Sequence, residues 1–272
     1  MADEKVTVSV IMSIYNNPEE EIRRSVKSVL EQDYADFELV IRNDGSGEYV
    51  DKIIESFEDS RIVYHSEKEN HGLSYCLNKC IEESRGELLI RQDADDYSVA
   101  GRFSAIVKAY REKNCAIISS NILLFDENGV WGKRDYPENP AKEDFLFAIP
   151  FMHGACALKR QAVIDAGMYS LEKKAARCED YALFMKMYSL GYSGYTIKER
   201  LYAYQESRRT ICRRSYREKI DQVKVKAEGF KQLGLYPKGV IYLAKPLAVG
   251  LIPPKLLAKI KDKHYKRRDL QQ

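Results

Sequence analysis

Apolar residues in the first hundred positions fall alternately into two rhythms. Val6, Val8, Val10, Met12 and Ile14 recur at every second residue, with Ile11 filling a gap, the near-continuous pattern of a strand covered on both faces. Ile22, Val26, Val29 and Leu30 then recur at three- and four-residue steps behind Pro18, and Glu19, Glu20 and Glu21 stand where the positive end of a helix dipole lies. The exchange continues with a strand over 37–41, a helix near 49–57, a strand over 61–65, a helix over 73–84 and a strand over 87–91. Strands separated by helices of this length require parallel pairing with right-handed crossovers, which predicts an α/β fold with a doubly wound, mostly parallel sheet.

Past Arg102 the regularity loosens. A helix to about Asn114 precedes strand-like runs over 116–125 and 130–136, joined by the turn sequence Asp126-Glu127-Asn128-Gly129, and this pair predicts an antiparallel addition to the sheet. Residues 151–158 read as another strand, and 179–190 as a helix ended by Gly191. Beyond Tyr204 the chain becomes rich in Arg and Lys and mainly helical. Leu73, Cys76, Leu77, Cys80 and Ile81 share one helical stripe, and the six cysteines include no C-x-x-C pair, so they read as reduced core thiols rather than a zinc or redox site.

A chain of 272 residues, 44 % hydrophobic and 31 % charged, fits one globular domain with an appendage and excludes collagen-like, low-complexity and wholly disordered classes. No stretch reaches the roughly 18 to 20 apolar residues of a bilayer span, and no basic-then-apolar leader opens the sequence, so a cytoplasmic protein is expected. The formal net charge of +3 conceals an asymmetry: residues 198–272 carry 20 Lys and Arg against 7 Asp and Glu, residues 1–197 carry 24 against 34. An acidic body concentrates carboxylates for metal or acid–base work. The basic tail points to an anionic partner, a phospholipid surface or nucleic acid, or to solvated basic helix faces.

Open parallel sheets bind ligands at the carboxyl ends of their strands. There the sequence places Tyr15-Asn16-Asn17, then Asn43-Asp44-Gly45-Ser46, then Asp93-Ala94-Asp95-Asp96. An aromatic face, a short acid in a turn and an acidic cluster suit a base, a ribose or uracil edge, and a divalent cation bridging phosphates; Asp44-Gly45-Ser46 is also ordinary turn chemistry. Three carboxylates within four residues repel unless a cation or donor network neutralises them. G-x-G-x-x-G and G-x-x-x-x-G-K-[ST] are both missing, which disfavours a dehydrogenase and a P-loop ATPase.

Val8 to Asn16, Asn43-Asp44-Gly45-Ser46, Asn70-His71-Gly72-Leu73 with Leu77-Asn78, Asp93-Ala94-Asp95-Asp96, and Glu179-Asp180-Tyr181 follow one another in an order and spacing that resembles the family 2 glycosyltransferases of the GT-A fold. Within that family the chain is similar to enzymes that build bacterial capsule, O-antigen and exopolysaccharide units. The resemblance covers about residues 6–210. It implies a catalytic domain over 1–210, with a nucleotide-sugar-binding half over about 1–100 and an acceptor half over about 101–210, followed by a basic helical region over 211–272. It puts Ile14, Tyr15 and Asn16 at the nucleotide, Asp44 at uracil or its equivalent, and Asp93 near the ribose. Asp95, with Asp93, would ligate Mg²⁺ or Mn²⁺ on the donor diphosphate, with Asp96 in support. Asp180 would deprotonate the acceptor hydroxyl, and Glu179 stands beside it on the acceptor side. Arg208, in Gln205-Glu206-Ser207-Arg208-Arg209, would contact the diphosphate.

By the same resemblance His153 lies near the acceptor; a structural histidine in a strand is the other reading. Asp180 likewise reads as a helix-start acid. The implied reaction is inverting, metal-dependent transfer from a nucleotide-sugar donor, a UDP-sugar, to a hydroxyl of a saccharide or lipid-linked acceptor. The alternative is a non-catalytic nucleotide-sugar-binding module with a basic tail. In that tail the apolar run 239–254 contains Lys245 and three prolines, which oppose a bilayer span, and is followed by Lys255, Lys259, Lys261, Lys263, Lys266, Arg267 and Arg268. This suits either attachment to the anionic inner face of the cell membrane or packing on the catalytic domain. Nucleic acid is not expected as a partner.

Overall fold

The computed structural model describes residues 7–206 and 216–250. Strands β1 (Val8–Ile14), β2 (Phe37–Asn43), β3 (Ile62–Ser66) and β4 (Leu88–Arg91) alternate with helices α1 (Glu19–Leu30), α2 (Glu48–Glu55) and α3 (Leu73–Glu83). All pairings among these four strands are parallel, as the alternation of the two rhythms predicts. Next come the two-residue β5 (Tyr97–Ser98), α4 (Arg102–Lys113), and the antiparallel hairpin of β6 (Ile117–Asp126) and β7 (Gly129–Arg134). The remaining elements are β8 (Ala157–Lys159), α5 (Arg160–Asp165), α6 (Glu179–Ser189), β9 (Gly194–Gln205), α7 (Tyr216–Gln232) and α8 (Val240–Gly250).

One sheet runs β3-β2-β1-β4-β8-β6-β9-β5, with β7 beside β6. Its two faces have separate cores. Val8, Val10, Met12 and Ile14 of β1 face α1, α2 and α4 through Ile22, Val26, Ile53 and Phe103. Ile11, pointing the other way, joins Leu77, Cys80 and Ile81 of α3 and Phe184 of α6. Cys76 and Cys80 are fully buried, and both belong to the free cysteines. The second core continues into the basic region, because Val225 and Phe230 of α7 are buried in it. Among the described residues no helix is long and apolar enough to cross a membrane. Arg208 and the cationic run from Lys255 to Arg268 lie outside the described residues.

One expectation is corrected. Residues 151–158 do not form a strand: a 3-10 turn at His153–Ala155 interrupts them, and only β8 pairs, antiparallel to both β4 and β6. The turn places the carbonyl of Gly154 2.9 Å from the Nη2 donor of the buried Arg102, a contact that an extended chain would not offer. β9, the longest strand, was not anticipated. Lys198-Glu199-Arg200 interrupts its apolar pattern at the point where its register against β6 shifts.

The sheet directions fix where ligands can gather. β8 is antiparallel to β4, β6 is antiparallel to β8, and β9 is parallel to β6. The carboxyl ends of β1, β2, β4, β6 and β9 therefore lie along one edge, where open α/β sheets bind ligands.

Candidate functional site

At the β1 and β2 ends the loops are tied to each other before any ligand arrives. Asn16 adopts a left-handed backbone, φ 54°, and its N–H donates to Ser46 Oγ at 2.9 Å. Tyr49 donates its hydroxyl to the carbonyl of Asn17 at 3.0 Å. Gly45, φ 77°, lies so close to the 69–70 backbone that a Cβ would sit 2.6 Å from the carbonyl carbon of Glu69. Asp44 is 1 % exposed, and its carboxylate accepts the N–H groups of His71 (2.7 Å) and Gly72 (2.9 Å) and the Nδ2 of Asn70 (2.8 Å). It thereby holds the approach to α3, using a carboxylate to satisfy backbone donors just before a helix begins. Ile14 is fully buried and its carbonyl accepts the N–H of Asp44 at 2.8 Å. Tyr15 is 50 % exposed on the same edge.

The three acids after β4 divide their tasks. Asp96 is fully buried, accepting the hydroxyl of Tyr202 at 2.8 Å and the N–H of Gln205 at 2.7 Å, so it fastens the acidic turn to the end of β9. Burial, followed by the charges of Asp95 and Asp93, raises its carboxyl well above the ordinary range. Asp93 pairs with Arg91, which is buried beneath it, while its N–H donates to Tyr202 Oη at 3.1 Å. Asp95 is half-buried; burial first, then Asp93 and Glu21, push its carboxyl up to about 6. Its carbonyl accepts Arg24 Nη2 at 2.5 Å, and the same nitrogen reaches Gln205 Oε1 at 2.6 Å.

Crowded carboxylates with a raised pKa are a place where added positive charge lowers the energy. Among the described residues no cluster of three or more His, Cys, Asp or Glu side chains could by itself enclose a metal ion. Two acids are nevertheless a suitable protein contribution for Mg²⁺ or Mn²⁺, which take their remaining ligands from water and substrate phosphates. Asp93 and Asp95 therefore fit such an ion.

A second buried guanidinium supports the turn from below. Arg102 donates to Gln92 Oε1 (3.0 Å), Ser98 Oγ (2.8 Å) and the carbonyls of Arg91 and Gly154 (both 2.9 Å), and lies 4.6 Å from the Tyr202 ring centre. Burial brings its pKa down to about 10, so it remains a cation near neutral pH. Gly154 is in turn pressed against the site: a Cβ there would lie 2.4 Å from Tyr202 Oη and 2.7 Å from Asp93 Oδ2.

Beyond the turn stands the start of α6. Glu179 is buried, and burial raises its carboxyl while Arg91 opposes the rise and Asp93 adds to it. Asp180, half-buried, accepts the N–H of Tyr181 at 2.7 Å and stands in the first turn of α6, at the positive end of the helix dipole. His153 is buried in the 3-10 turn, with Nε2 2.7 Å from the hydroxyl of Tyr169 and its ring beside Tyr169 and Phe184. Burial, then Arg91, lowers its pKa to about 3, so the imidazole is neutral at physiological pH.

Asp93, Asp95 and Asp96 thus meet at one turn, with Glu179 within reach of its field. Tyr15, Asn16 and Asp44 occupy the adjoining edge. Sequence reading missed Arg91, Arg102, Tyr202 and Gln205. Arg91 carried a usable signal, a charge at the end of the apolar run Leu88-Leu89-Ile90; Tyr202 and Gln205 carried none, because their strand was not recognised.

Known proteins agree with this architecture. Residues 9–174 match the family model described as Glycosyl transferase family 2. The Bacillus subtilis (strain 168) protein EpsE, named as a glycosyltransferase, is 31 % identical over 97 % of this chain and 95 % of its own length. An Escherichia coli UDP-Gal:alpha-D-GlcNAc-diphosphoundecaprenol beta-1,3-galactosyltransferase is 27 % identical over 98 % of this chain and 99 % of its own. Among solved structures, Staphylococcus aureus TarS 1-349 in complex with UDP-GlcNAc superposes with a TM-score of 0.65 at 17 % identity, covering 85 % of this chain and 71 % of that one. The Pyrobaculum calidifontis mannosyltransferase PcManGT, in complex with GDP-Man and Mn²⁺, gives 0.61 at 19 % identity, covering 96 % and 81 %. The shared architecture is the GT-A fold.

Proposed function

Since the chain belongs to glycosyl transferase family 2 and is therefore a glycosyltransferase, we propose that it moves a sugar from a UDP-sugar to a hydroxyl of a saccharide or lipid-linked acceptor, with inversion, in the synthesis of a bacterial surface polysaccharide. The observation that carries this reading is the acidic turn itself: Asp93, Asp95 and Asp96 gathered on the binding edge of the sheet, fastened by Arg91, Tyr202 and Gln205, with the start of α6 beyond it. The UDP-sugar and the lipid-linked acceptor are supported by the names of TarS in complex with UDP-GlcNAc and of the E. coli galactosyltransferase.

The base lies against Tyr15 and Asn16, bordered by the turn that Asp44 orders. Asp93 and Asp95 would hold a divalent cation, Mn²⁺ or Mg²⁺, which would supply positive charge to offset that of the departing diphosphate. Arg91 fixes Asp93 in place, and Asp96, bonded to Tyr202 and Gln205, keeps the turn from spreading under its own repulsion. Asp180 takes the proton of the acceptor hydroxyl as its oxygen bonds to the anomeric carbon. The bond from that carbon to the diphosphate oxygen breaks on the opposite face, which inverts the configuration. Arg208 would meet the diphosphate, and Glu179 and His153 stand on the acceptor side.

The catalytic domain on this reading spans 1–210, and α7 is attached to it through the shared core. The basic region favours residence at the inner face of the membrane, while α8 itself packs on the catalytic body, with Tyr242 against the Phe147 ring and Lys245 Nζ donating to the Phe147 carbonyl at 3.0 Å. Nucleotide release from a panel of UDP-, dTDP- and GDP-sugars, with Mn²⁺, Mg²⁺ or EDTA, tests the donor and metal together. Release from a UDP-sugar that vanishes with EDTA and in Asp95→Ala is the expected outcome. No metal-dependent binding of any nucleotide would sink the reading.

A further inference from the structure

The binding edge has two sides. Tyr15 and Asp44 stand at the ends of β1 and β2, and the acidic turn follows at β4. Continuing past the turn, away from the base loops, the same edge carries the ends of β6 and β9, the β7 strand and the 3-10 turn at His153–Ala155. Here Trp131, Tyr136, Met152 and Tyr204 gather, each half-buried, on a small core of Ile122, Leu124, Ala155 and Tyr202.

This group is joined directly to the reacting region. Tyr202 bonds to Asp96 and to the N–H of Asp93. Met152 precedes and Ala155 ends the 3-10 turn whose Gly154 lies against the Asp93 carboxylate. Tyr204 is close enough that Asp96, Asp95 and Asp93 all add to the rise of its phenol pKa, after burial. Tyr136 is anchored at both ends, its hydroxyl donating to Met152 Sδ at 3.8 Å and its N–H to Asn121 Oδ1 at 2.8 Å. Large aromatic side chains held in place yet left half-open beside a polar centre are a common lining of sugar and cofactor sites. Simple core packing would not require three aromatic rings around a four-residue core at this edge.

We propose that Trp131, Tyr136, Met152 and Tyr204 form a shelf on which the acceptor stacks the apolar C–H face of a hexopyranoside, holding its hydroxyl toward the acidic turn and the start of α6. A pyranose with mostly equatorial substituents has such a face; an open-chain polyol has none. The aromatic planes supply orientation, and the thioether of Met152 adapts to substituents at the shelf's rim. The shelf rests on the glycosyltransfer reading, but its binding is read out without transfer.

Trp131 is the only tryptophan in the chain, so fluorescence excited selectively at tryptophan, apart from the 19 tyrosines, reports on the shelf. The full chain with UDP and Mn²⁺ is titrated with methyl glycosides of N-acetylglucosamine, glucose and galactose, and with sorbitol as control. A saturable change with at least one pyranoside and none with sorbitol is expected; no saturable change with any pyranoside overturns the shelf. In parallel, transfer to the responding glycoside is compared with acceptor-free donor hydrolysis. Trp131→Ala should lower the ratio of transfer to hydrolysis at least tenfold, mainly through the acceptor KM, and Trp131→Phe should recover most of it. An unchanged ratio in Trp131→Ala overturns the proposal, as does a Trp131→Phe variant as impaired as Trp131→Ala. A wild-type chain that responds to pyranosides yet releases no nucleotide from any donor instead strikes the transfer reading and leaves the shelf standing.

Discussion

The loops at β1 and β2 and the turn after β4 occupy the same edge but are built on opposite principles. In the first, Asp44 is surrounded by three donors and the loops are cross-linked through Asn16 and Ser46. In the second, Asp95 and Glu179 are raised by burial and by Asp93, and the turn holds together only because buried arginines and Tyr202 support it. On the proposed function, the difference separates recognition from chemistry. A pocket that receives a base benefits from being formed in advance, since ordering it on binding would weaken affinity. A centre that receives a cation and a diphosphate benefits from charge that is incompletely neutralised until they arrive.

The comparison can be broken first at the chemical side. Asp180→Asn should lower kcat by about a thousandfold, within the range for loss of a general base, while isothermal titration finds donor binding preserved; retained kcat would remove Asp180 from the reaction. Gly154→Ala inserts a Cβ where Tyr202 and Asp93 already stand, so activity should fall about a hundredfold, with weaker metal dependence in the nucleotide-release assay. The base side should respond in stability instead. Asp44→Ala strands the N–H groups of His71 and Gly72, and chemical denaturation should show a loss of about 1–3 kcal/mol, along with weaker nucleotide binding.

Acid sensitivity sharpens the contrast. His153 in the folded chain resists protonation down to about 3, whereas in the unfolded chain it titrates near 6.5. The unfolded state therefore binds the extra proton as pH falls from about 6.5 toward 3, and stability is lost across that window. His153→Gln, which can still bond to Tyr169, should shallow this loss relative to wild type when melting temperature is followed against pH. An equal slope would place the acid sensitivity elsewhere. Tyr15→Ala should have the smallest effect, a rise in donor KM of about fivefold, equivalent to roughly 1 kcal/mol of stacking, with kcat kept.

The part of this legible in the sequence is the part whose partners lie close together in the chain. β1 through β4 follow from two apolar rhythms, and Asp93, Asp95 and Asp96 stand out because three acids share four positions. What remained hidden depends on distant neighbours. Tyr202 meets Asp93 and Asp96 across more than a hundred residues, and its strand is masked by Lys198-Glu199-Arg200 and by the shift of register against β6. The 3-10 turn at His153–Ala155 is hidden in the same way, because the Gly154 carbonyl meets Arg102, a partner 52 residues away in the chain.

The bond between Asp96 and β9 makes the acidic turn a record of how much of the chain has been folded. All its carboxylates emerge from the ribosome early, but Tyr202 and Gln205, which receive Asp96, come over a hundred residues later and from the strand that is laid between β6 and β5. A fragment ending after α6 would contain every acid of the turn and neither of those donors. The segment from β1 to β5 consequently cannot be lifted out with the bonds of its acidic turn intact, and recombination between relatives would have to keep that turn and β9 from the same parent.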